Sequence, residues 1–359
     1  MAVTCKRILL YTLYIIMILV GLFFTIVGAM FFSTKFNTSG ECLFKPSEPY
    51  TIVHRGDTAV SQENTIEAGV SAVKKGYGTE FDIFLLTTGE FVLFHDDNAL
   101  ETTGTDLEIE DASLSEFQAL RYKSAINGVT YSNQPSPPLL KDFLKAVCEE
   151  NPNAVLDFDI KFSINTENME AMNKVVDDSP CNCENTANFY IYAVGNPWDI
   201  GTVRDSLENF KCKNGKVANY YHPDTYPLGE YFFLRTRFFI NLYDPDIVNI
   251  EHQILDEHTD LLEDLNNDDF CTATYSNFEE KIKQYDVNTY RVIDTSIASL
   301  TKDVYDYNEN TYRALIAMTV IGVIMLAAGL LLLILTCGGC LCKSSEVTPM
   351  QEENKMEIA

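Results

Sequence analysis

The stretch YGTEFDIFLLTTGEFVLFHDD, residues 77–97, is mostly what a buried strand, a turn and a second strand require. Phe81, Ile83, Phe84, Leu85 and Leu86 are apolar, Thr87-Thr88-Gly89 makes the turn, and Phe91-Val92-Leu93-Phe94 is apolar again. Glu80 and Asp82 interrupt the first run, and His95 and Asp96 close the second. Residues i and i+2 of a strand share a face, so the two carboxylates point the same way. Like charges this close are unfavourable unless a proton or a cation joins them. A hard divalent ion, Mg²⁺ or Ca²⁺, prefers such oxygen ligands. The pattern returns in "AVLDFDIKF" (154–162), where Asp157 and Asp159 stand two apart and Lys161 follows. An isolated Glu-x-Asp is more often a solvated edge strand. Here the apolar flanks, the recurrence and nearby histidines favour a metal site.

Working outward, "TIVHRG" (51–56) reads as a short strand and "SQENTIEAGVSAVKKG" (61–76) as a helix stopped by Gly76. Residues 98–135 form a polar connection with one weak helical signal, "SLSEFQALRYKS". A Leu139/Leu140–Phe143–Leu144–Val147 stripe after prolines predicts a helix over 135–153. Further strands are expected at 188–194, 237–243, 270–275 and 290–296, separated by helices around 199–210, 248–265 and 277–286. Strands alternating with helices indicate a parallel sheet covered by helices. About eight strands over 51–313 predict an α/β fold, a (βα)8 TIM-type barrel; a doubly wound open sheet is the alternative.

The barrel is expected to be an ectodomain between two transmembrane helices. Ile8–Phe32 and Ala314–Cys337 carry no charged residue, and each exceeds the roughly 20 residues that cross a bilayer core. The first reads as an uncleaved signal anchor, with cleavage near Gly28-Ala29 as the alternative. Lys6 and Arg7 before it put residues 1–7 in the cytoplasm, and a second crossing returns the tail 338–359 to the same side. Residues 33–50 read as a stalk. The expected location is the plasma membrane or a secretory-pathway membrane, with 51–313 extracellular or lumenal.

The formal net charge is −26, and the few charges of the two termini cancel, so the middle of the chain carries all of it. Such a domain repels nucleic acid, which is bound through Lys and Arg. Cys42, Cys148, Cys181, Cys183, Cys212 and Cys271 form an even set consistent with disulfides, without fixing the pairing. Asn37-Thr38-Ser39 is a glycosylation sequon on the same side. Cys337, Cys340 and Cys342 border the second span, where palmitoylated thiols and ordinary ones are equally expected.

His54 in "VHRG" and His95 in "FHDD" end two short strands, where barrel active sites are assembled. Two imidazoles facing a metal can serve as base or nucleophile and as acid, and Arg55 and Lys161 could hold an anion. "HRG" followed by "ENT", then Glu-x-Asp, a Gly turn and "HD", resembles the glycerophosphodiester phosphodiesterase family, itself similar to the sphingomyelinase D toxins. "PPLLKDFLKAV", "DFDIK" and "YRVIDTSIAS" extend the resemblance. It implies a (βα)8 barrel and divalent-metal hydrolysis of a phosphodiester; the two membrane spans, by holding the site near lipids, make lysophospholipids as much expected as soluble glycerophosphodiesters. Glu80, Asp82 and Asp159 would bind the metal, His54 and His95 would be the catalytic pair, Arg55 and Lys161 would hold phosphate, and Glu63 would support the site. Asp159 stands where most of the family has Glu, Gln62 replaces a Pro, and Ala273-Thr274 replaces a late Trp-Thr pair. Trp198, the only Trp, is a candidate for the missing aromatic, though a core or surface role is the commoner fate of such a residue. Two rival functions are an inactive receptor-type ectodomain and a toxin-like phospholipase D that forms a cyclic phosphate.

Overall fold

Eight parallel strands close on themselves. The structure, a computed structural model, describes residues 2–32, 42, 46–126, 128–183, 190–221, 240, 243–257, 259–275, 287, 289–294 and 320–330. The strands are β1 (Tyr50–Val53), β2 (Gly78–Leu85), β3 (Phe91–Leu93), β4 (Ala125–Ile126), β5 (Val129–Thr130), β6 (Leu156–Ile160), β7 (Tyr190–Val194), β8 (Lys216–Tyr221), β9 (Ile247–Glu251), β10 (Thr272–Tyr275) and β11 (Tyr290–Ile293). The ring runs β1-β2-β6-β7-β8-β9-β10-β11 and returns to β1, every pairing in it parallel. β3 lies outside the ring, antiparallel to β2. Helices α2 (Ile66–Lys74), α5 (Leu140–Glu150), α6 (Thr166–Asp177) and α7 (Asp199–Leu207) belong to this unit, with helices at His252–Glu257 and Thr259–Asn267. This is a TIM-barrel-like α/β fold.

The expected number of strands is eight, and two of the members differ. β3 is a hairpin partner, and the strand expected at 237–243 lies mostly outside the described residues, with Ile240 and Tyr243 helical. Their places are taken by β8, and by β9 where a helix was expected from 248. The physical reason is visible in β9. Asn249 faces inward, its side-chain amide donating to the Tyr290 hydroxyl at 3.0 Å, and Glu251 shares that face. Polar residues at a barrel mouth break the apolar run by which a buried parallel strand is recognised. The helix expected at 277–286, Asn37 and the cysteines from 337 onward lie outside the described residues.

Apolar side chains form an inner and an outer layer. Ile52, Ile191, Ala218, Ile247, Ala273, Tyr290 and Val292 fill the barrel. Outside it, Phe81 of β2 meets Phe143 of α5 with ring centroids 4.6 Å apart, joined by Leu144, Val147, Phe158 and Tyr192. Thr65 caps α2, its hydroxyl accepting from the Ala68 N–H. The 98–135 connection holds α3 (Leu100–Thr103), the capping-boxed α4 (Leu114–Ala119) and the β4–β5 hairpin. Phe94, Phe117, Tyr122 and Tyr131 give it an apolar core of its own. Gln62, the residue in place of Pro, is fully buried and donates to the backbone carbonyls of Lys123 and Asn133 at 3.1 and 2.8 Å.

Three disulfides, Cys42–Cys271, Cys148–Cys181 and Cys183–Cys212, use all six cysteines of the middle region. Cys42, expected in a stalk, is thereby fixed to the strand end at Cys271, and its N–H donates to the Asp269 carbonyl at 2.9 Å. The compact unit runs from Lys35 to Tyr305.

The termini form a second unit. α1 runs from Ala2 to Phe32, with side chains described over 11–26. Of the second expected span, residues 320–330 are described and helical. Among the described residues no helix is long and apolar enough to cross a membrane. The two helices touch closely: a Cβ on Gly21 would lie 2.5 Å from the Leu326 nitrogen, and one on Gly322 would lie 2.4 Å from the Phe24 Cβ.

Candidate active site

The register of β2 and β6 builds the site. Glu80 pairs with Asp157 and Asp82 with Asp159, so four carboxylates occupy the inner face of two adjacent strands about 4.8 Å apart. Glu80, Asp82 and Asp159 each bring one oxygen within 4.8 Å of the other two. Asp157 is buried one layer deeper, and its Oδ1 has no hydrogen-bond partner. Burial pushes the Glu80 carboxyl well above the usual carboxylate range, and Asp82, Asp159 and Asp157 push it further. Its Oε1 is buried without a partner. Asp82 is buried as well, which would raise it, yet Lys161, His95, Arg55 and a hydrogen bond from Asn64 hold it below the usual range. Lys161 Nζ lies 2.7 Å from Asp159 Oδ2 and 3.2 Å from Asp82 Oδ1. Three converging hard oxygens, one on a carboxyl pushed toward its neutral form, fit a divalent ion, whose charge would relieve the repulsion. A second group, Asp177, Cys183 and Cys212, fits no ion because its two sulfurs are joined as a disulfide.

The β1–α2 loop supplies the cationic side. Arg55 and Asn64 adopt left-handed backbone, φ 54° and 55°, unusual for residues with a Cβ and a sign of local strain. Gly56 follows with φ 80°, where a Cβ would lie 2.9 Å from that of Ala68. This turn aims the Arg55 N–H at Glu80 Oε2, 2.7 Å away, and its guanidinium at Glu63, 3.1 Å away. Asn64 holds Asp82 twice: its amide donates to Oδ2 at 2.8 Å, and its oxygen accepts from the Asp82 N–H at 3.1 Å.

His54 is fully buried at the end of β1. Its Nδ1 lies 2.8 Å from Asp294 Oδ1, just beyond β11. Its Nε2 accepts from the Tyr275 hydroxyl and from Arg55 Nε, and stands 4.0 Å from Glu80 Oε2. Burial, then Arg55, lowers the His54 pKa against the opposing pull of Asp294 and Asp82, so the ring is kept neutral. With Nδ1–H donated to Asp294, Nε2 carries the lone pair. His95 is partly exposed, with Nδ1 2.8 Å from Asp96 Oδ1. It shares with Asp159, Lys161, Trp198, Tyr220 and Tyr275 the lining of a cavity of about 900 Å³.

Of the eight residues singled out from the sequence, His95, Asp159 and Lys161 line this cavity, and His54, Arg55, Glu63, Glu80 and Asp82 are buried and linked to one another by the contacts above. Asn64, Tyr275 and Asp294 join them without having been singled out. Asn64 sits inside the quoted "ENT", but nothing in the sequence ties it to Asp82. Tyr275 follows the Ala273-Thr274 pair by one residue and supplies an aromatic near the position of the absent Trp.

Residues 54–193 match the sequence model of the glycerophosphoryl diester phosphodiesterase family. The chain carries a domain of that family. It is a phosphoric diester hydrolase domain, and its barrel fold supports hydrolysis of glycerophosphodiesters. No curated protein sequence matches the chain. Among solved structures, the fold is similar to a phosphodiesterase from Oleispira antarctica in complex with the product sn-glycerol-3-phosphate, at 18% identity and a TM-score of 0.53, covering 69% of this chain and 93% of that one. It is also similar to a protein described as a glycerophosphoryl diester phosphodiesterase from Silicibacter pomeroyi, at 15% identity and a TM-score of 0.56, covering 80% and 98%.

Proposed function

We propose that this is a membrane-anchored, divalent-metal-dependent phosphodiesterase that cleaves glycerophosphodiesters or lysophospholipids on the extracellular or lumenal side of its membrane. The observation that carries the reading is the approach of Glu80, Asp82 and Asp159 within 4.8 Å of one another, with His54 Nε2 4.0 Å from Glu80 and His95 on the cavity that Asp159 lines. These three carboxylates would hold Mg²⁺ or Ca²⁺, which when bound supplies Lewis-acid charge neutralisation at the phosphodiester. Arg55 and Lys161 add cationic donors for the phosphate oxygens, with Glu63 keeping the guanidinium in place. Neutral His54, backed by Asp294, takes a proton at Nε2 from the attacking hydroxyl. As that oxygen bonds to phosphorus, the bond to the alcohol breaks and His95 protonates the leaving alkoxide.

Membrane anchoring rests on the uncharged spans at 8–32 and 314–337 and on the apolar side chains that the two terminal helices expose. Leu19, Phe23 and Ile26 stand out on α1, with Ile321 and Ile324 on 320–330. The close approach through Gly21 and Gly322 is the small-residue packing that membrane helices use. Three disulfides favour an oxidising compartment for the barrel, at the plasma membrane or within the secretory pathway, with both termini cytoplasmic.

The test is turnover by the detergent-solubilised full chain of glycerophosphocholine, glycerophosphoinositol and lysophosphatidylcholine, with Mg²⁺ or Ca²⁺ and then EDTA. Metal-dependent release of the alcohol is expected. Absence of turnover on all three, or turnover indifferent to EDTA, would overturn the reading. Phosphorus NMR of the product identifies the attacking hydroxyl: water gives a phosphomonoester, the substrate's own hydroxyl a cyclic phosphate.

A further inference from the structure

The base of this reaction does not reach the cavity by itself. His54 is fully buried and is not among the described residues that line the cavity. Tyr275, the last residue of β10, does line it, together with His95, Asp159 and Lys161. Its hydroxyl donates to His54 Nε2, and its ring lies edge-on to the imidazole with centroids 4.7 Å apart. The Tyr220 ring packs on its other neighbour side at 4.8 Å between centroids. A neutral imidazole with Nδ1–H turned to Asp294 has one lone pair left, at Nε2. Two donors meet it there, the Tyr275 hydroxyl and Arg55 Nε at 3.2 Å. A guanidinium does not give up its proton in a protein, whereas a phenol both donates and accepts. Of the two, the phenol is the one that can pass a proton on. Burial, with Glu80 nearby, holds the phenol pKa well above its ordinary value, so the hydroxyl stays protonated and does not act as a free phenolate.

We propose that Tyr275 is a catalytic residue that relays the proton of the attacking hydroxyl to His54. The attacking O–H bond breaks and its proton passes to the Tyr275 oxygen. In the same step the phenolic O–H bond breaks and that proton passes to His54 Nε2. The electron pair left on the attacking oxygen forms the bond to phosphorus. The phenol ends the step as it began, and the transferred charge rests on an imidazolium held by Asp294 at Nδ1 and by the Tyr275 oxygen at Nε2. The relay rests on the phosphodiesterase reading; the contact between Tyr275 and His54 does not.

The contact is tested without turnover. Nitrogen NMR of the EDTA-treated, detergent-solubilised full chain, labelled at its five histidines, reads the unprotonated nitrogen of His54, assigned by its loss in His54→Asn. Tyr275→Phe keeps the ring and removes the donor, so this resonance should move downfield, as an imidazole nitrogen does when it stops accepting a hydrogen bond. The activity arm uses glycerophosphocholine with the metal that supports turnover. Tyr275→Phe, with unchanged circular dichroism, should lower kcat about 10²-fold and leave KM as it is. Rates in mixtures of light and heavy water should curve less for the variant, which has one proton fewer in flight. A parent that cleaves no phosphodiester rejects the hydrolytic reading and the relay together. A cleaving parent overturns the relay alone if Tyr275→Phe keeps or raises kcat, leaves the His54 resonance in place, or lowers kcat with the curvature unchanged, the last being the mark of a hydroxyl that only orients the ring.

Discussion

His54 shows how single residues acquire their chemistry here. Its neutral form comes from burial and from Arg55, and its orientation from Asp294, 240 positions away in the chain. Replacing His54 or His95 by Ala should lower turnover by about 10²–10⁴-fold while leaving the circular dichroism unchanged; undiminished kcat in either variant would remove that residue from the reaction. Tyr192 illustrates the opposite kind of residue. It is fully buried against Phe158, with a hydroxyl that finds no hydrogen-bond partner. Burial, with Tyr190 and Asp177 nearby, holds its pKa far above the ordinary value. A raised pKa means stability present below the unfolded value of about 10 and lost as pH climbs above it. Tyr192→Phe should therefore be neutral or stabilising, by up to about 1 kcal/mol in urea unfolding at pH 8. It should also soften the loss of stability between pH 9 and pH 11, two points set about the unperturbed tyrosine value. A destabilised Tyr192→Phe would show that the hydroxyl is satisfied after all.

Among elements, β2 was the most legible and β9 the least. In β2 every residue but the last is buried, and the two carboxylates stand out against apolar neighbours. In β9 and β8 the inward Asn249, Glu251 and Tyr220 blur the same signal, because a strand end that lines a polar mouth loses the hydrophobic run. The 98–135 connection was legible only as polar, since its core is drawn from scattered aromatics that meet in space. Gln62 links this connection to the catalytic loop, and Gln62→Ala would leave two backbone carbonyls without their donor. A loss of about 1–3 kcal/mol is expected in urea unfolding. An unchanged midpoint would show that the two segments are held together by the apolar cluster alone.

For the whole molecule, the Cys42–Cys271 bridge spans 229 residues and ties the start of the barrel unit to its penultimate strand. In the chain-entropy model such a loop contributes about 5 kcal/mol, and Cys42→Ser with Cys271→Ser should lower unfolding stability by several kcal/mol. Stability equal to that of the oxidised parent would show that the seam is closed by backbone pairing alone. At this scale the −26 charge also matters, because a domain this acidic needs a local reversal of field to admit an anionic phosphate, and Arg55, Lys161 and the proposed dication would each contribute to it.

The sequence by itself determined the α/β class and the acidic pair on β2, because both are written in periods of a few residues: alternation of strands with helices, and side chains two apart sharing a face. It also brought His54, His95, Arg55 and Lys161 into view, since each ends or follows a recognisable strand. Only the tertiary structure decided that Asp82 and Asp159 stand in register, that Asn64, Tyr275 and Asp294 close around the same point, which cysteines pair, and that Trp198 faces the cavity. Those facts depend on ring closure, which joins β1 to β11 and brings residues more than 200 positions apart within hydrogen-bonding distance. No local pattern encodes a partner at that separation.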